Sequence, residues 1–468
     1  MNAAHRLICP CTMLLLLVSC AVGPDYKKPN ASDITPSDWR WKTAAPKDAV
    51  PKGEWWKVFD DATLSRLEKG ALADSQSLAA AVARVDEARA AARVSWSQIF
   101  PQVGLDPSFE RQRTSGNLPT PIPIPIPSAN VDTFSVPFDM SYEVDVWGRI
   151  RRSIEAARAE AQASVADYQN VLLTLTADIA VNYFLLRALD AEIATLRRTV
   201  ELRSQSLDIL NARNLAGSIP EADVDRGRTQ LASARADLAD LARQRAETLN
   251  AIALLCGKPV STFEIAELPL AASPPVIPPG LPSTLLERRP DIARAERTLA
   301  AKSAQIGVAK AAYFPALSLT GQAGYLSNTA SALFSGASTV WSIEPGLTLP
   351  LFNAGRTSAQ VRQAGATYRE FLAEYRQTVL TAFKEVEDSL AEATFLGKQA
   401  SARTEALAFS RRVTKLARAR YEAGESSYLD VIDAERTELE QENGLAQLGG
   451  QRFAAAVRLI KALGGGWE

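Results

Sequence analysis

Histidine is almost absent from this chain of 468 residues, and its single copy is His5. His5 lies in a short basic and apolar N-terminal stretch that is typical of a secretory signal, so we expect the mature chain to have no histidine. Without histidine, Ser-His and Cys-His catalysis and His-ligated metal sites are excluded. The sequence also has no Gly-rich phosphate loop. We therefore expect no catalytic residue, no metal and no cofactor, and a secreted enzyme is the least favoured function.

Cysteine is nearly as scarce, with four copies, and their positions exclude an intrachain disulfide. Cys9 and Cys11 fall within the signal and Cys20 lies at its end, which leaves Cys256 without a partner. The charges are nearly balanced, at 52 basic and 53 acidic residues. This balance gives no indication of a nucleic-acid partner.

The N-terminal segment predicts export and lipidation. Residues 7–18 form an apolar run that is too short to span a bilayer and fits a signal peptide. The run ends in Leu17-Val18-Ser19-Cys20, which resembles the lipobox of bacterial lipoproteins. That resemblance implies removal of residues 1–19 and a covalent lipid on Cys20, and Ala21 after the cysteine favours delivery to the outer membrane. The alternatives are an ordinary signal peptide cleaved nearby, or a buried apolar segment.

The chain repeats itself at an offset of 207 residues. Gly148-Arg149 recurs as Gly355-Arg356, and Ala216-Gly217 recurs as Ala423-Gly424. Each half predicts the same order of elements: helix, strand, strand, very long helix, turn, helix. The first half also contains a Pro-rich insertion at residues 119–127, which we interpret as a polyproline II loop between two strands. A unit this long, present only twice, excludes a solenoid array.

Alternating apolar and polar residues predict two strands in each half, at about residues 102–113, 132–147, 315–326 and 340–352. The length and the alternation match transmembrane β-strands, with a soluble sandwich that has one solvated face as the alternative. Four strands cannot close a membrane barrel, and open edges are not tolerated in lipid. If these strands span, several chains must share one barrel: two chains would give eight strands and three would give twelve.

The helices that follow the strands are longer than a globular core requires. Residues 149–216 contain no proline or glycine and would extend about 100 Å as a helix. Apolar residues recur along this segment with the 3-4 spacing of a coiled coil, interrupted at Asn182 and Arg203. Residues 356–423 have the same length and keep the pattern more weakly. An intermolecular coiled-coil rod fits this stripe equally well.

Short motifs along the whole chain occur together in one known family. They are Cys20 with Gly23-Pro24-Asp25-Tyr26, Trp55-Trp56, Arg289-Pro290-Asp291-Ile292, Phe352-Asn353-Ala354-Gly355-Arg356, Tyr421-Glu422-Ala423-Gly424 and Leu429-Asp430-Val431-Ile432-Asp433-Ala434. With the duplication, these motifs resemble the TolC-like outer-membrane efflux family, in its lipoprotein branch. The resemblance implies a mainly α fold with a four-stranded transmembrane β segment per chain. It also implies a homotrimer, with one twelve-stranded β-barrel and a periplasmic α-helical barrel.

The repeat and the resemblance together predict the organisation of the chain. The segments are a signal peptide at 1–19, a lipid-anchored equatorial segment at 20–62, a first repeat at 63–257, a Pro-rich equatorial connector at 258–289, a second repeat at 290–464 and a tail at 465–468.

The resemblance also implies a function without catalytic chemistry. The family provides outer-membrane efflux ducts, which are passive trimeric channels that dock to a periplasmic adaptor and an inner-membrane pump. A non-pore periplasmic coiled-coil lipoprotein is the alternative, although a rod has no use for four amphipathic strands.

Three residues correspond to the periplasmic aperture of the family. Two acidic residues that ring the closed end in the family match Asp430 and Asp433, and a tyrosine that helps to hold the gate matches Tyr421. Three copies of each acid would favour cations. The arginine that some members place after the turn is Ser426 here, which puts the usual latch in doubt. The alternative interpretation is that both acids only stabilise the start of a helix.

Overall fold

The computed structural model describes residues 21–29, 53–115, 128–270, 273–275 and 289–465. Cys20, the polyproline loop at 119–127 and residues 271–272 and 276–288 of the connector lie outside the described residues. The chain forms two compact units, each assembled from separate stretches of sequence. Unit 1 comprises Met1–Lys28, Val85–Ser164 and Ala295–Tyr375, and unit 2 comprises Pro29–Arg84, Val165–Arg294 and Arg376–Glu468.

The helices follow the duplicated pattern of the sequence. In chain order they are α1 Ala62–Asp74, α2 Gln76–Ser97, α3 Arg149–Leu215, α4 Glu221–Leu255, α5 Pro290–Ala311, α6 Arg356–Glu422 and α7 Tyr428–Ala462. The long helices α3 and α6 both have 67 residues, and the returning helices α4 and α7 both have 35. Helices α2 and α5 both have 22 residues. These matched lengths confirm the duplication.

Each long helix ends at a glycine with positive φ. Gly217 and Gly424 have φ values of 72° and 77°, in the left-handed region where a side chain would be strained. The residues that follow them close the helix ends: Ser218 N donates to Arg213 O at 2.9 Å, and Glu425 N donates to Arg420 O at 2.8 Å. Both turns therefore have the Schellman pattern that caps a helix C-terminus.

The described strands form one antiparallel sheet in unit 1. They are β1 Gln102–Leu105, β2 Ser108–Arg113, β3 Asn130–Val144, β4 Ala316–Ser327 and β5 Thr339–Thr348. The order is β1-β3-β4-β5, and β2 also pairs with β3. The predicted single strand at 102–113 is therefore wrong in detail, because Pro107 has no N–H and interrupts the ladder. The last strand ends at Thr348 rather than at residue 352, two residues before Pro350.

Among the described helices, α3 alone is long and apolar enough to cross a membrane, by length and composition only. Its most apolar 18-residue window has a mean hydropathy of 1.4, and 61% of that window is buried inside the protein. The core helix of a soluble region has the same properties, so we assign no membrane span to α3.

An aromatic cluster forms the core of unit 2. Trp55 and Trp56 are buried in a short 3-10 helix, Trp55–Phe59. The ring centroid of Phe59 lies 4.9 Å from that of Phe184 in α3, which in turn lies 4.5 Å from that of Phe453 in α7. Residues from both repeats and from the segment before them thus share one core, which accounts for the Trp-Trp motif just before the first repeat.

Two polar interruptions of the coiled-coil stripe of α3 have local partners. Asn182 Nδ2 donates to Asp178 O at 2.8 Å, within the same helix. Arg203 is buried and donates to the main-chain oxygen of Gln230 in α4 at 2.8 Å. Burial lowers the pKa of Arg203 from its ordinary value. Both residues therefore satisfy their polar groups without interrupting the helix.

Candidate functional site

The sheet of unit 1 has one continuous apolar face. Strand register aligns Leu105, Phe138, Ala323 and Trp341 in one row across the sheet. Neighbouring rows on the same face are Val103, Met140, Gly321 and Ile343, then Tyr142, Leu319 and Pro345, then Val144, Leu317 and Leu347. Trp341 is 74% exposed and Leu347 is 71% exposed, so no described part of the chain covers these side chains. A sandwich would bury such a face against a second sheet.

The opposite face of the sheet is polar. Its rows are Gly104, Asp139, Gln322 and Ser342, then Ser141, Thr320 and Glu344, then Glu143, Ser318 and Gly346. Gln322 Nε2 donates to Asp139 Oδ1 at 3.0 Å across two strands of this face. An exposed apolar face opposite a polar one is the pattern of a barrel wall between lipid and water.

Both edges of the sheet are unpaired among the residues that the structure describes. The sheet order places β1 and β2 at one edge and β5 at the other. An unpaired strand edge presents a row of free N–H and C=O groups, which cannot be left exposed in hydrocarbon. Strands from other chains are therefore needed before this sheet can enter a membrane.

Aromatic side chains lie where the helices meet the strands in unit 1. The rings of Trp147 and Phe314 stack with centroids 4.7 Å apart, and Trp147 Nε1 donates to Pro315 O at 2.8 Å. The centroids of Trp96 and Phe100 lie 4.8 Å apart. Such aromatic girdles mark the interface between membrane and water. In the sequence, Phe100-Pro101 and Phe314-Pro315 lie at these junctions, but nothing there identifies their aromatic partners.

Asp430 occupies the first turn of α7, where it forms a capping box. Ser427 N donates to Asp430 Oδ2 at 3.1 Å, and the hydroxyl of Ser427 also contacts this oxygen at 3.4 Å. The Asp430 side chain stays exposed. It therefore supports the helix start and at the same time presents a charge to solvent.

Asp433 lies one turn further along the same face of α7. It is exposed and pairs with Arg436 at 3.2 Å. Exposed pairs of this kind contribute little to stability, about 0–1 kcal/mol. The structure thus gives each predicted aperture acid a local partner, and leaves both accessible.

Tyr421 lies in a cluster that joins the turns of both repeats. Its ring centroid is 5.3 Å from that of Tyr428, and the Arg213 guanidinium lies 5.1 Å from its centroid. Leu210 and Val431 belong to the same buried cluster. In the described part of the chain, the Tyr421 hydroxyl is buried and has no hydrogen-bond partner. Burial is the main cause that raises the pKa of Tyr428.

Arg213 was missed by the sequence analysis, which looked for a latch cation at position 426. Ser426 carries no charge, and its buried hydroxyl has no partner among the described residues, so position 426 supplies no cation to this turn. The cation beside Tyr421 comes instead from α3, in the other repeat. Arg213 and Arg420 are equivalent by the 207-residue offset, so the repeat carried a signal that could have found it.

A charged cleft of about 350 Å³ lies further from these turns in unit 2, between α3, α6 and α7. Its charged lining includes Arg198, Arg203, Arg411, Arg418, Glu435 and Glu442. Arg418 pairs with Glu435 at 2.8 Å, and Arg411 pairs with Glu442. These partners satisfy most of the charges within the cleft. In the part of the chain that the structure describes, no group of three or more His, Cys, Asp or Glu side chains is arranged to hold a metal ion.

Known proteins are similar to this chain over nearly its whole length. Residues 67–258 and 281–465 match the family described as Outer membrane efflux protein. The pyoverdine export outer membrane protein OpmQ of Pseudomonas aeruginosa is 35% identical over 97% of this chain and 95% of its own length. The toluene efflux pump outer membrane protein TtgI of Pseudomonas putida is 34% identical over 98% of each chain.

A solved structure shows the same fold. The outer-membrane channel OprN superposes with a TM-score of 0.84 at 30% identity, covering 96% of this chain and 100% of OprN. This likeness covers the strands, the long helices and their turns together. The chain therefore belongs to the outer membrane efflux protein family and has the TolC-like fold of an outer-membrane efflux duct.

Proposed function

We propose that this outer-membrane efflux protein works as a passive homotrimeric channel. One observation carries the proposal: a sheet with an exposed apolar face, a polar face and two open edges. Closure needs strands from other chains, and β1 with β2 occupies the place of one strand beside β3. Each chain then supplies four strand positions, and three chains supply twelve, enough to enclose a lumen.

The proposal includes a lipid on Cys20 as a membrane anchor. The residues that follow it support this role, because they are held where β3 leads into α3. Val22 N donates to Trp147 O at 2.9 Å, and Arg152 pairs with Asp25 at 2.6 Å. This attachment would bring the preceding Cys20 close to the aromatic side chains that lie where the helices meet the strands. Stable attachment needs more than one hydrophobic signal, and the acyl chains and the strands would provide two.

The proposal also includes docking to a periplasmic adaptor and an inner-membrane pump. Its support is that similar proteins carry names such as toluene efflux pump outer membrane protein and outer-membrane channel. The cargo differs between the named relatives, pyoverdine in one and toluene in another. We therefore propose the duct role and assign no cargo to it.

For the aperture, we propose that Asp430 and Asp433 form rings of negative charge in the trimer. Their exposed positions one turn apart support this role. Repulsion among the carboxylates would oppose closure, so other contacts must hold the closed state. The cluster of Tyr421, Tyr428 and Arg213 is suited to that task, because it joins the turns of both repeats.

Assembly and conductance test the proposal together. Mass measurement of the detergent-solubilised protein should give a trimer, and planar bilayers should show single channels that prefer cations. A folded monomer without conductance would favour the non-pore lipoprotein instead. For the anchor, Cys20→Ala should abolish incorporation of labelled palmitate while some assembled protein stays in the outer membrane. Continued labelling of that variant would refute the lipobox interpretation.

A further inference from the structure

A small cleft lies beside the N-terminal segment in unit 1 and has no role in the duct as described. Its volume is about 400 Å³, and it lies between the first turns of α3, the middle of α5 and the end of α2. Its lining includes Tyr26, Ile99, Ile154, Glu155, Arg158 and Arg297. The cleft therefore combines an apolar wall with side chains of both charges.

Most charges around the cleft are already paired. Arg297 pairs with Glu296 at 2.9 Å, and Arg152 contacts both Asp25 and Glu155, at 2.6 and 2.7 Å. Arg151, which also lines the cleft, pairs with Asp145. Among the described residues, the exposed Arg158 has no hydrogen bond or ion pair. Arg158 is thus the cation of the cleft that is available to bind a ligand.

Glu155 offers a matching acceptor in the same cleft. Arg152 occupies only its Oε2 atom, and the side chain is 42% exposed. Glu155 and Arg158 are three residues apart on α3, so they lie on one face of the helix with Cβ atoms about 5–6 Å apart. The four basic residues here, Arg151, Arg152, Arg158 and Arg297, are balanced by four acids, Glu155, Asp25, Asp145 and Glu296. A neutral ligand with one charge of each sign fits this arrangement better than an anion.

The cleft lies beside the segment that follows Cys20 and close to aromatic residues at the helix-strand junction. Tyr26 in its wall donates to Glu296 Oε1 at 2.7 Å, which holds the segment that follows Cys20 against α5. A Cβ on Gly23 would overlap Gly307, so this segment lies directly on the helix. Ile99 in the wall of the cleft immediately precedes Phe100, whose ring contacts Trp96 where α2 meets the first strand. If the strands span the membrane as proposed above, the cleft lies at the level of the lipid headgroups on the helix side.

We propose that this cleft binds the headgroup of a zwitterionic glycerophospholipid with a primary ammonium, phosphatidylethanolamine. Arg158 contacts the phosphate, and Glu155 Oε1 accepts a hydrogen bond from the ammonium. The apolar wall of Ile99 and Ile154 covers the glycerol end of the lipid. A choline headgroup has the same charges but no N–H to donate, and a glycerol headgroup has no cation for Glu155.

Native mass spectrometry of the purified trimer tests the proposal. The full-length lipidated protein is titrated in detergent with phosphatidylethanolamine, phosphatidylcholine or phosphatidylglycerol of identical acyl chains, and adducts are counted. Phosphatidylethanolamine should bind most tightly. Arg158→Gln should weaken that binding about tenfold, since one charge-assisted hydrogen bond is lost. Glu155→Gln keeps an acceptor oxygen but loses the charge, so it should reduce the preference for ethanolamine over choline and leave the phosphate contact in place.

The matched control is Arg362→Gln. Arg362 is also exposed in unit 1, donates to Ser358 at 2.9 Å and does not line the cleft, so its loss should not affect lipid binding. Equal binding of the three lipids, tighter binding of phosphatidylglycerol, or an equal loss in the two arginine variants would overturn the proposal. Conductance of the same preparations distinguishes failure of the lipid site from failure of the proposed duct. A conducting trimer without lipid preference refutes the lipid site alone, whereas a non-conducting monomer refutes the duct.

Discussion

The two long helices have the same length but bury different faces. Phe184 in α3 is 2% exposed and stacks in the aromatic core, whereas the equivalent position in α6 is Ala391. Conversely, Phe395 in α6 is 64% exposed, and its counterpart in α3 is the buried Ala188. The duplication therefore preserved length and turns, while the helix face that is buried at Phe184 and Ala188 in α3 is exposed at the equivalent Ala391 and Phe395 in α6.

Close packing of α3 against α7 explains why the side chain at Ala188 must be small. A Cβ built on Gly450 of α7 would lie 2.6 Å from the Cβ of Ala188. A phenylalanine at position 188 would clash there, while α6 leaves the same position open to solvent. The difference teaches that α3 is a core helix of its own chain, and that α6 presents apolar side chains outward. Phe409 and Leu416 are also exposed on α6.

The largest expected effect comes from emptying the core of the first repeat. Phe184→Ala should lower the free energy of unfolding by about 3–5 kcal/mol, because it leaves a cavity between Phe59 and Phe453. Phe395→Ala is the matched control, and its effect on the fold of one chain should stay within about 0.5 kcal/mol. Denaturant unfolding followed by circular dichroism measures both. Equal losses would show that the two helices are equivalent after all.

A buried carboxyl should make the stability of the first repeat depend on pH. Glu68 is fully buried, neither of its oxygens has a partner among the described residues, and burial raises its pKa to about 9. The unfolded chain releases this proton near its ordinary pKa of 4.5, so folding requires proton uptake between these values. The free energy of unfolding should therefore fall as pH rises from about 4.5 to 9, by a few kcal/mol in all.

Glu68→Gln should remove that slope and stabilise the protein at pH 8, because an amide carries no charge at any pH of the range. Unfolding midpoints measured at several pH values test this directly. If the wild type and the variant show parallel pH profiles, the Glu68 carboxyl is solvated or paired in the folded protein.

Variants at the two turns should have effects of intermediate size on the free energy of unfolding. Asp430→Ala removes the capping box of α7 and should cost about 1 kcal/mol, as such caps usually do. Asp223, its equivalent in α4, pairs with Arg226 at 2.9 Å and takes part in no capping box with Pro220. Asp223→Ala should therefore cost less, within about 0.5 kcal/mol. A larger loss at Asp223 would reverse this ranking of the two turns.

The smallest expected effects concern the gate. Asp430→Asn with Asp433→Asn should reduce cation selectivity and weaken block by multivalent cations, with little change in folding. Arg213→Gln removes a contact with the Tyr421 ring worth about 0.5–1 kcal/mol and should raise the open fraction of single channels. Arg420→Gln, at the equivalent position of the other repeat, is the control. If the acid variants leave selectivity and block unchanged, these residues serve only the helix start.

Much of the fold could be predicted because its signals are local. The bounds of α3 follow from a long segment without proline or glycine that ends at Gly217, and those of α6 follow from the repeat of that segment, which ends at Gly424. The two faces of the sheet follow from strict alternation, and the strand register confirms them. The interruption at Pro107 was missed, although its missing N–H was visible in the sequence.

The residues that we propose for the aperture were only partly predictable. Asp430 and Asp433 were found from a motif, and the structure places both in the first turns of α7, exposed and one turn apart. Arg213 was missed because it lies more than 200 positions from Tyr421 in the sequence, and only packing of the two turns brings them together. The lipid cleft has the same origin, since Tyr26, Arg158 and Arg297 come from three separate segments.

The sequence by itself determined the lengths of the helices, the positions of their turns and the alternation of the strands. These properties depend on residues within a few positions of each other, through hydrogen bonds along a helix and the pleat of a strand. Only the tertiary structure decided which helix face is buried, as at Ala188 and Phe395, and which cation reaches Tyr421. Those outcomes depend on contacts between distant segments, where the space left by one side chain decides what its neighbour can be.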